Sequence, residues 1–260
     1  MRVPLLLGAQ PLVTPPTRIS LGSGIPLDLA IGDGGVQGVA GGPVWTGGGY
    51  WTADGTGYWT GPTFDATDYE IVVRWTRPNT SAYYPFSVFG SSTKYAVMFQ
   101  SGSATTWISG SNSVAGGAGT GNVAAFGYAR GTRITLRLNA SEVTAAKNGA
   151  LLAGSVPFIG AYRYGAASLI PCQAGMRIWD VTVYERGLTP TERTNIYASG
   201  SQINPLTIAA DAYACWDFAN AYDSGGTPTV PDLVLSDGTR DLTGSPTVSI
   251  VDDITTGATF

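Results

Sequence analysis

MRIWDVTVYERGLTPTERTNIYAS, residues 176–199, decides how the rest of this 260-residue chain is read. Met176 to Tyr184 alternates apolar and polar residues, the pattern of a strand that turns one face toward a core. A tight connection follows, then the signals of a helix start. Thr189 stands as the N-cap, Pro190 as the first helical residue and Glu192 as the reciprocal partner of the cap, with Gly200 as the stop. One strand running into one short, well-capped helix, inside a glycine-rich chain, points to a β-sandwich with a binding or structural role.

Strand signals continue upstream. Tyr69, Ile71, Val73 and Trp75 alternate with Glu70, Val72 and Arg74, which reads as a half-buried strand. Phe86 and Val88, then Tyr95, Val97 and Phe99, suggest a hairpin through GSST. Ile134, Leu136 and Leu138 alternate with Arg133, Thr135, Arg137 and Asn139. Asn148-Gly149, between Glu142–Lys147 and Ala150–Ala153, is the dipeptide of a type I′ hairpin turn, and Asp54-Gly55 lies between two near-copies, GYWTADG and GYWTG. Many short strands at about ten-residue spacing predict an all-β sandwich or barrel. The prolines Pro4, Pro11, Pro15 and Pro16 make residues 1–25 an extended arm. Residues 26–200 form the body. Residues 201–260 form a C-terminal strand segment, with strands at 212–218 and 247–251, that completes the same sandwich or packs on a neighbouring subunit.

Composition narrows the function. Charged residues are 12% of the chain, about half the usual share. Two lysines, Lys94 and Lys147, and four glutamates leave little for an extensive helical exterior. A net charge of −4 with scattered arginines argues against nucleic acid, and the grouping Arg130, Arg133 and Arg137 reads as a solvated strand face. The chain has no histidine, which removes the commonest general base, the Ser-His-Asp and Cys-His routes, and most zinc sites. Cys172 and Cys215 read as buried free thiols, as in a bacterial cytoplasm. No segment is long and apolar enough to span a membrane, and MRVPLLLGAQPLV, broken by Pro4, Gly8 and Pro11, is too interrupted for a secretory signal.

Tyr69–Trp75, Arg133–Asn139, the Asn148-Gly149 hairpin and IWDVTVYERGLTPTE at 178–192 follow one another in the order seen in laminin-G-like domains. The chain thus resembles the concanavalin A-like lectin/glucanase superfamily over roughly residues 40–200. Val181, Val183, Tyr184, Arg186, Leu188 and Glu192 match the closing motif. The resemblance implies a jelly-roll of two antiparallel sheets. WDFANAYDSGGTPTVPDLVLSDGTRDLTGSPT, 216–247, looks like the opening of such a domain, yet it stands near the C-terminus.

The superfamily's glucanases use closely spaced carboxylates. Glu70, Glu142, Glu185 and Glu192 are isolated, so a non-enzymatic role is expected. Calcium is the family's usual cofactor, and Asp232, Asp237 and Asp241, or Asp28 and Asp33, are candidate ligands. Asp33-Gly34 and Asp237-Gly238 are equally turn formers, and no cofactor is expected. Trp45, Tyr50, Trp51, Tyr58 and Trp59 are the candidate carbohydrate-binding residues, because sugars stack on flat rings. In a strand one member of each adjacent pair, Tyr50-Trp51 and Tyr58-Trp59, must point outward. Low charge, abundant Gly, Ser, Thr and aromatics, and the missing signal suggest a bacteriophage virion component made in the host cytoplasm. Its partners would be further copies of itself, other virion proteins and host-surface polysaccharide. A carbohydrate-binding module of an adhesin or receptor-binding protein is the alternative.

Overall fold

The computed structural model describes residues 18–21, 25–28, 45–65, 68–77, 82–102, 104–117, 121–130, 132–146, 148–150, 152–163, 169–197 and 203–258, with backbone alone at 18–21, 25–28, 77, 121 and 130. The first sheet runs, in spatial order, β12 (Ser141–Ala145), β11 (Arg133–Leu138), β10 (Gly121–Arg130), β5 (Asp68–Arg77), β16 (Arg177–Tyr184), β3 (Gly49–Thr52) and β21 (Ile254–Thr256), and β17 (Ala214–Asp217) also pairs with β16. The second runs β18 (Tyr222–Asp223), β19 (Pro228–Val230), β20 (Leu242–Gly244), β4 (Trp59–Thr60), β13 (Val156–Ile159), β6 (Tyr83–Ser91), β7 (Lys94–Ser101), β8 (Ala104–Ser109) and β9 (Asn112–Gly117). Two hairpins stand apart, β1 (Arg18–Leu21) with β2 (Ile25–Asp28) and β14 (Ala161–Arg163) with β15 (Leu169–Pro171). The neighbouring strands of both sheets pair antiparallel. The fold is an all-β jelly-roll sandwich with short helices.

The inner faces of the two sheets share one aromatic-rich core. Trp51, Trp75, Val181 and Trp216 from the first sheet meet Trp59, Phe86, Met98 and Trp107 from the second. Trp107 lies over Gly127 of β10, where a Cβ would come within 2.7 Å of the indole, and its Nε1–H donates to the Tyr128 carbonyl at 3.1 Å. A side chain at 127 would push the sheets apart at this point.

A second apolar layer covers the outer face of the first sheet. Val72, Ala124, Phe126 and Tyr184 pack there beneath Leu188, Ile196, Ala209 and Ala212, carried by α1 (Pro190–Tyr197), α2 (Pro205–Ile208) and their flanking segments. The start of α1 matches the capping expectation. Glu192 N–H donates to Thr189 Oγ1 at 3.2 Å, and Thr189 N–H donates to Glu192 Oε2 at 2.7 Å. Gly200, read as the stop, lies outside the described residues.

That layer corrects the reading of β5 as half-buried. Glu70, Val72 and Arg74 are all buried under it. Glu70 accepts from Leu188 N–H at 2.6 Å and from Arg193 at 2.7 and 2.8 Å, and Arg74 Nε donates to Asp180 at 2.9 Å while Nη1 donates to the Ile203 carbonyl. Arg137, expected on a solvated face, is buried as well, whereas Arg133 is exposed.

Residues 203–258 are built into both sheets. β17 and β21 extend the first, β18–β20 continue the second beyond β4, and Phe218 sits between Trp51 and Trp59 at 6.1 and 5.5 Å. Several turn expectations fail. The β11–β12 hairpin closes at Asn139, which takes φ 53, and residues 148–150 form no strand, so Asn148-Gly149 is not a hairpin turn. Asp54-Gly55 joins β3 to β4, which belong to different sheets. The strand expected at 247–251 does not form, because its end lies in a helical turn, α3 (Ile250–Asp253), and the next strand starts only at Ile254. Within the expected arm, Arg18–Leu21 pairs with Ile25–Asp28.

Glu70→Ala would leave Arg193 buried without its anion and is expected to destabilise the protein by about 3–5 kcal/mol in chemical denaturation. The double variant Glu70→Leu/Arg193→Met should recover most of that loss, and equal losses in both would show that the pair does not anchor the layer. Removal of residues 205–260 strips β17 to β21 and should abolish cooperative unfolding, whereas a monomer melting cooperatively at the parent temperature would overturn this role. Burial lifts the Asp232 carboxyl to about 6, although the N–H groups of Cys215, Val234 and Leu235 favour its ionised form. Its folded value lies above the unfolded one, so its support for the fold is fullest below about pH 4 and is lost as pH rises through 6. A carbon-detected titration should place its midpoint near 6, and a midpoint at or below 4 would contradict the burial argument.

Candidate functional site

The five aromatic residues expected to bind carbohydrate divide between core and surface. Trp51 and Trp59 are fully buried and meet edge to face at 6.1 Å, which removes them from contact with any ligand. The period of a strand sends their neighbours the other way, and Tyr50 and Tyr58 are half-buried. Trp45 is half-buried beneath the Arg74 guanidinium, 5.4 Å from the ring centroid. Tyr50 packs against Trp179 at 5.0 Å and under Arg177 at 5.0 Å. Trp179 is brought to this face by an irregularity of β16 between Ile178 and Asp180, since a bulge re-aims a side chain.

The larger outward aromatic group lies on the second sheet. Ala96, Met98 and Gln100 of β7 point inward, so Tyr95, Val97 and Phe99 point outward. Phe99 lies opposite Thr106 of β8 and contacts Tyr84 of β6 at 6.3 Å, and Tyr84 stacks on Tyr162 of β14 at 5.3 Å with planes 22° apart. Tyr84, Phe99 and Tyr162 are all half-buried. One step along the sheet, Phe89 lies opposite Tyr95, and the Arg163 guanidinium stands 5.1 Å above the Phe89 ring. The β14–β15 hairpin is fixed on this face by Ser87 Oγ, which donates to the Ala161 carbonyl at 2.7 Å. Ile170 at the hairpin edge is 47% exposed. The sequence marks Phe99 as a strand residue but marks none of Tyr84, Phe99, Tyr162 or Arg163 as a binding residue. Both alternating sets of β7 are apolar, and Tyr84 follows the inward Tyr83 at another irregularity in strand pairing.

A cleft of about 440 Å³ opens on the other side of the molecule, where α1 meets the first sheet, lined by Tyr128, Arg133, Thr135, Glu142, Arg186 and Arg193. Its charges are largely committed to one another. Arg186 donates to Glu192 at 2.7 and 2.9 Å and to Asp211 at 2.6 and 2.7 Å, which holds the Glu192 carboxyl down at about 2. Arg193 spans Glu70 and, at 3.8 Å, Glu142. Glu70 is sealed from solvent and paired with Arg193, while Asp68 and Glu142 line the cleft as well.

The aspartates considered for calcium serve the backbone. Asp232 accepts from three N–H groups, Asp241 accepts from Asp232 N–H, and Asp237 bonds Thr239. Only the backbone of Asp28 is described, and Asp33 lies outside the described residues. Among the described residues no three His, Cys, Asp or Glu side chains come together to hold a metal ion. Cys172 and Cys215 are buried free thiols, and burial pushes both upward in pKa. Among the described residues no helix is long and apolar enough to cross a membrane.

No protein-family model matches the chain, and no curated protein matches it in sequence. Solved structures do match in shape. A protein from Bacteroides ovatus described as carbohydrate binding aligns over 84% of this chain at TM-score 0.56 and 8% identity, and this chain spans 61% of that protein's length. A heptameric SAP-like pentraxin from Limulus polyphemus aligns over 60% of this chain and 84% of its own at TM-score 0.49 and 14% identity. Domains LG4-5 of the mouse laminin alpha1 chain align over 61% of this chain and 48% of theirs at TM-score 0.42 and 12% identity. At these identities the likeness extends to the fold alone, a jelly-roll of two antiparallel sheets.

Proposed function

We propose that this protein is a non-enzymatic, lectin-like carbohydrate-binding protein whose glycan lies on the outward face of the second sheet. The observation that carries the reading is the half-buried group of Tyr84, Phe99 and Tyr162, whose rings lie within 6.3 Å of their neighbours. Rings held by one another and by the strands beneath keep few rotamers to lose, so stacking on the apolar face of a sugar costs little ordering entropy. Thr106, opposite Phe99, adds a hydroxyl beside the rings. The Bacteroides ovatus protein of similar fold is also described as carbohydrate binding, and fold likeness is the extent of that support. The non-enzymatic part rests on the lack of histidine and on the sequestration of Glu70. The virion role expected from composition gains no support from the fold and is not carried into this reading.

Glycan-array binding of the whole chain, followed by calorimetry on the best ligand, tests the proposal. Tyr84→Ala and Tyr162→Ala are each expected to weaken binding about tenfold or more, the cost of truncating an aromatic anchor, with the cooperative melt retained. A chain that binds no glycan, or whose affinity is the same in both variants, would overturn it. Release of sugar from a polysaccharide would remove the non-enzymatic part.

A further inference from the structure

The ring-bearing strands of the second sheet, with the β14–β15 hairpin, differ from the rest of the molecule in charge, although β18 at the far end of that sheet carries Asp223. The chain is acidic overall at −4. Yet β6 to β9 and β13 to β15 contain two charged residues, Lys94 and Arg163, and neither is an acid. On the first sheet and its covering layer Arg74, Arg186 and Arg193 each rest on a carboxylate, while Arg137 lies over Phe126 and the exposed Arg177 over Tyr50. Arg163 is half-buried against Phe89 and makes no ion pair among the described residues. An aromatic shelf holds the plane of a guanidinium and shields one side from water, while its N–H fork stays open to a bidentate acceptor.

We infer that the glycan bound on this face is acidic, with Arg163 taking a carboxylate or sulfate of the sugar. The inference rests on the carbohydrate reading above and specifies the ligand class. β14 delivers both halves of the recognition. Tyr162 points to the stack with Tyr84, and the next residue, Arg163, points to Phe89. Adjacent residues of a strand face opposite ways, so ring and cation sit on either side of β14 and are bridged by an oligosaccharide rather than by one sugar unit. Two cations are too few for a phosphate backbone, which disfavours nucleic acid.

Calorimetry on the whole chain with charge-matched pairs tests this: hexagalacturonate against its methyl ester, sialyllactose against lactose, and a sulfated against an unsulfated disaccharide repeat, each at 20 and 500 mM salt. At least one acidic form should bind about tenfold or more tightly than its neutral twin at low salt. Arg163→Gln should shrink that preference to about twofold, and Arg163→Lys should retain part of it. The pair that discriminates identifies the anion. Equal affinity for acidic and neutral twins, or a preference that survives Arg163→Gln, overturns the inference, while loss of binding in Tyr84→Ala would still uphold the glycan reading. Tighter binding of oligothymidylate than of any sugar overturns it in favour of nucleic acid. Absence of all glycan binding removes both.

Discussion

The Glu70 carboxylate is held inside this protein by three donors, two from Arg193 and one from the Leu188 backbone. Much of the architecture depends on that arrangement. A buried carboxylate near the start of β5 cannot be left dry and unpaired, so the chain after β16 must return over the first sheet and bring a guanidinium to it. The return path is α1. Its start is fixed by the cap between Thr189 and Glu192, and Glu192 is in turn gripped by Arg186, which also holds Asp211. One buried anion therefore orients the helix and the segment that follows it.

The consequence is an asymmetric sandwich. The middle of the first sheet is covered on both faces, with Val72, Phe126 and Tyr184 roofed by the helical layer beside the buried pairs of Glu70 and Arg74. The second sheet carries half-buried aromatic residues outward, with the β14–β15 hairpin pinned among them. The carboxylates with arginine partners, Glu70, Asp180, Glu192 and Asp211, belong to the first sheet and its roof. Charge is thus spent internally on one side, while the opposite face combines rings with an arginine that makes no ion pair among the described residues.

The C-terminal segment explains why an opening-like sequence stands late in the chain. Trp216 and Phe218 enter the common core, and β20 reaches β4 while β21 reaches β3. Strands far apart in sequence lie side by side, as in a jelly-roll whose strand order departs from chain order. Asp217 ties this segment to the residues just before β3, accepting from Thr46 and Gly47 N–H groups at 2.7 and 3.0 Å.

The sequence by itself determined the local grammar: the strand at 177–184, the capping box of α1, the strands of β5 and β11, and an all-β sandwich or barrel. These follow from interactions within a few residues and from a period of two, which need no distant partner. It also placed one member of each aromatic pair outward, without saying which. Tertiary structure decided the rest. Glu70 and Arg193 are 123 residues apart, so nothing local marks them as partners. A strand such as β7, apolar on both alternating sets, reveals its period but not its inner face, and that was settled by packing against Trp107 and Phe86. Asn148-Gly149 has the chemistry of a hairpin turn, yet among the described residues no strand follows it at 150–154 to pair with β12, which pairs with β11 instead. The rings of Tyr84, Phe99 and Tyr162 come from three strands spread over 79 residues, and only the closed sandwich brings them onto one surface.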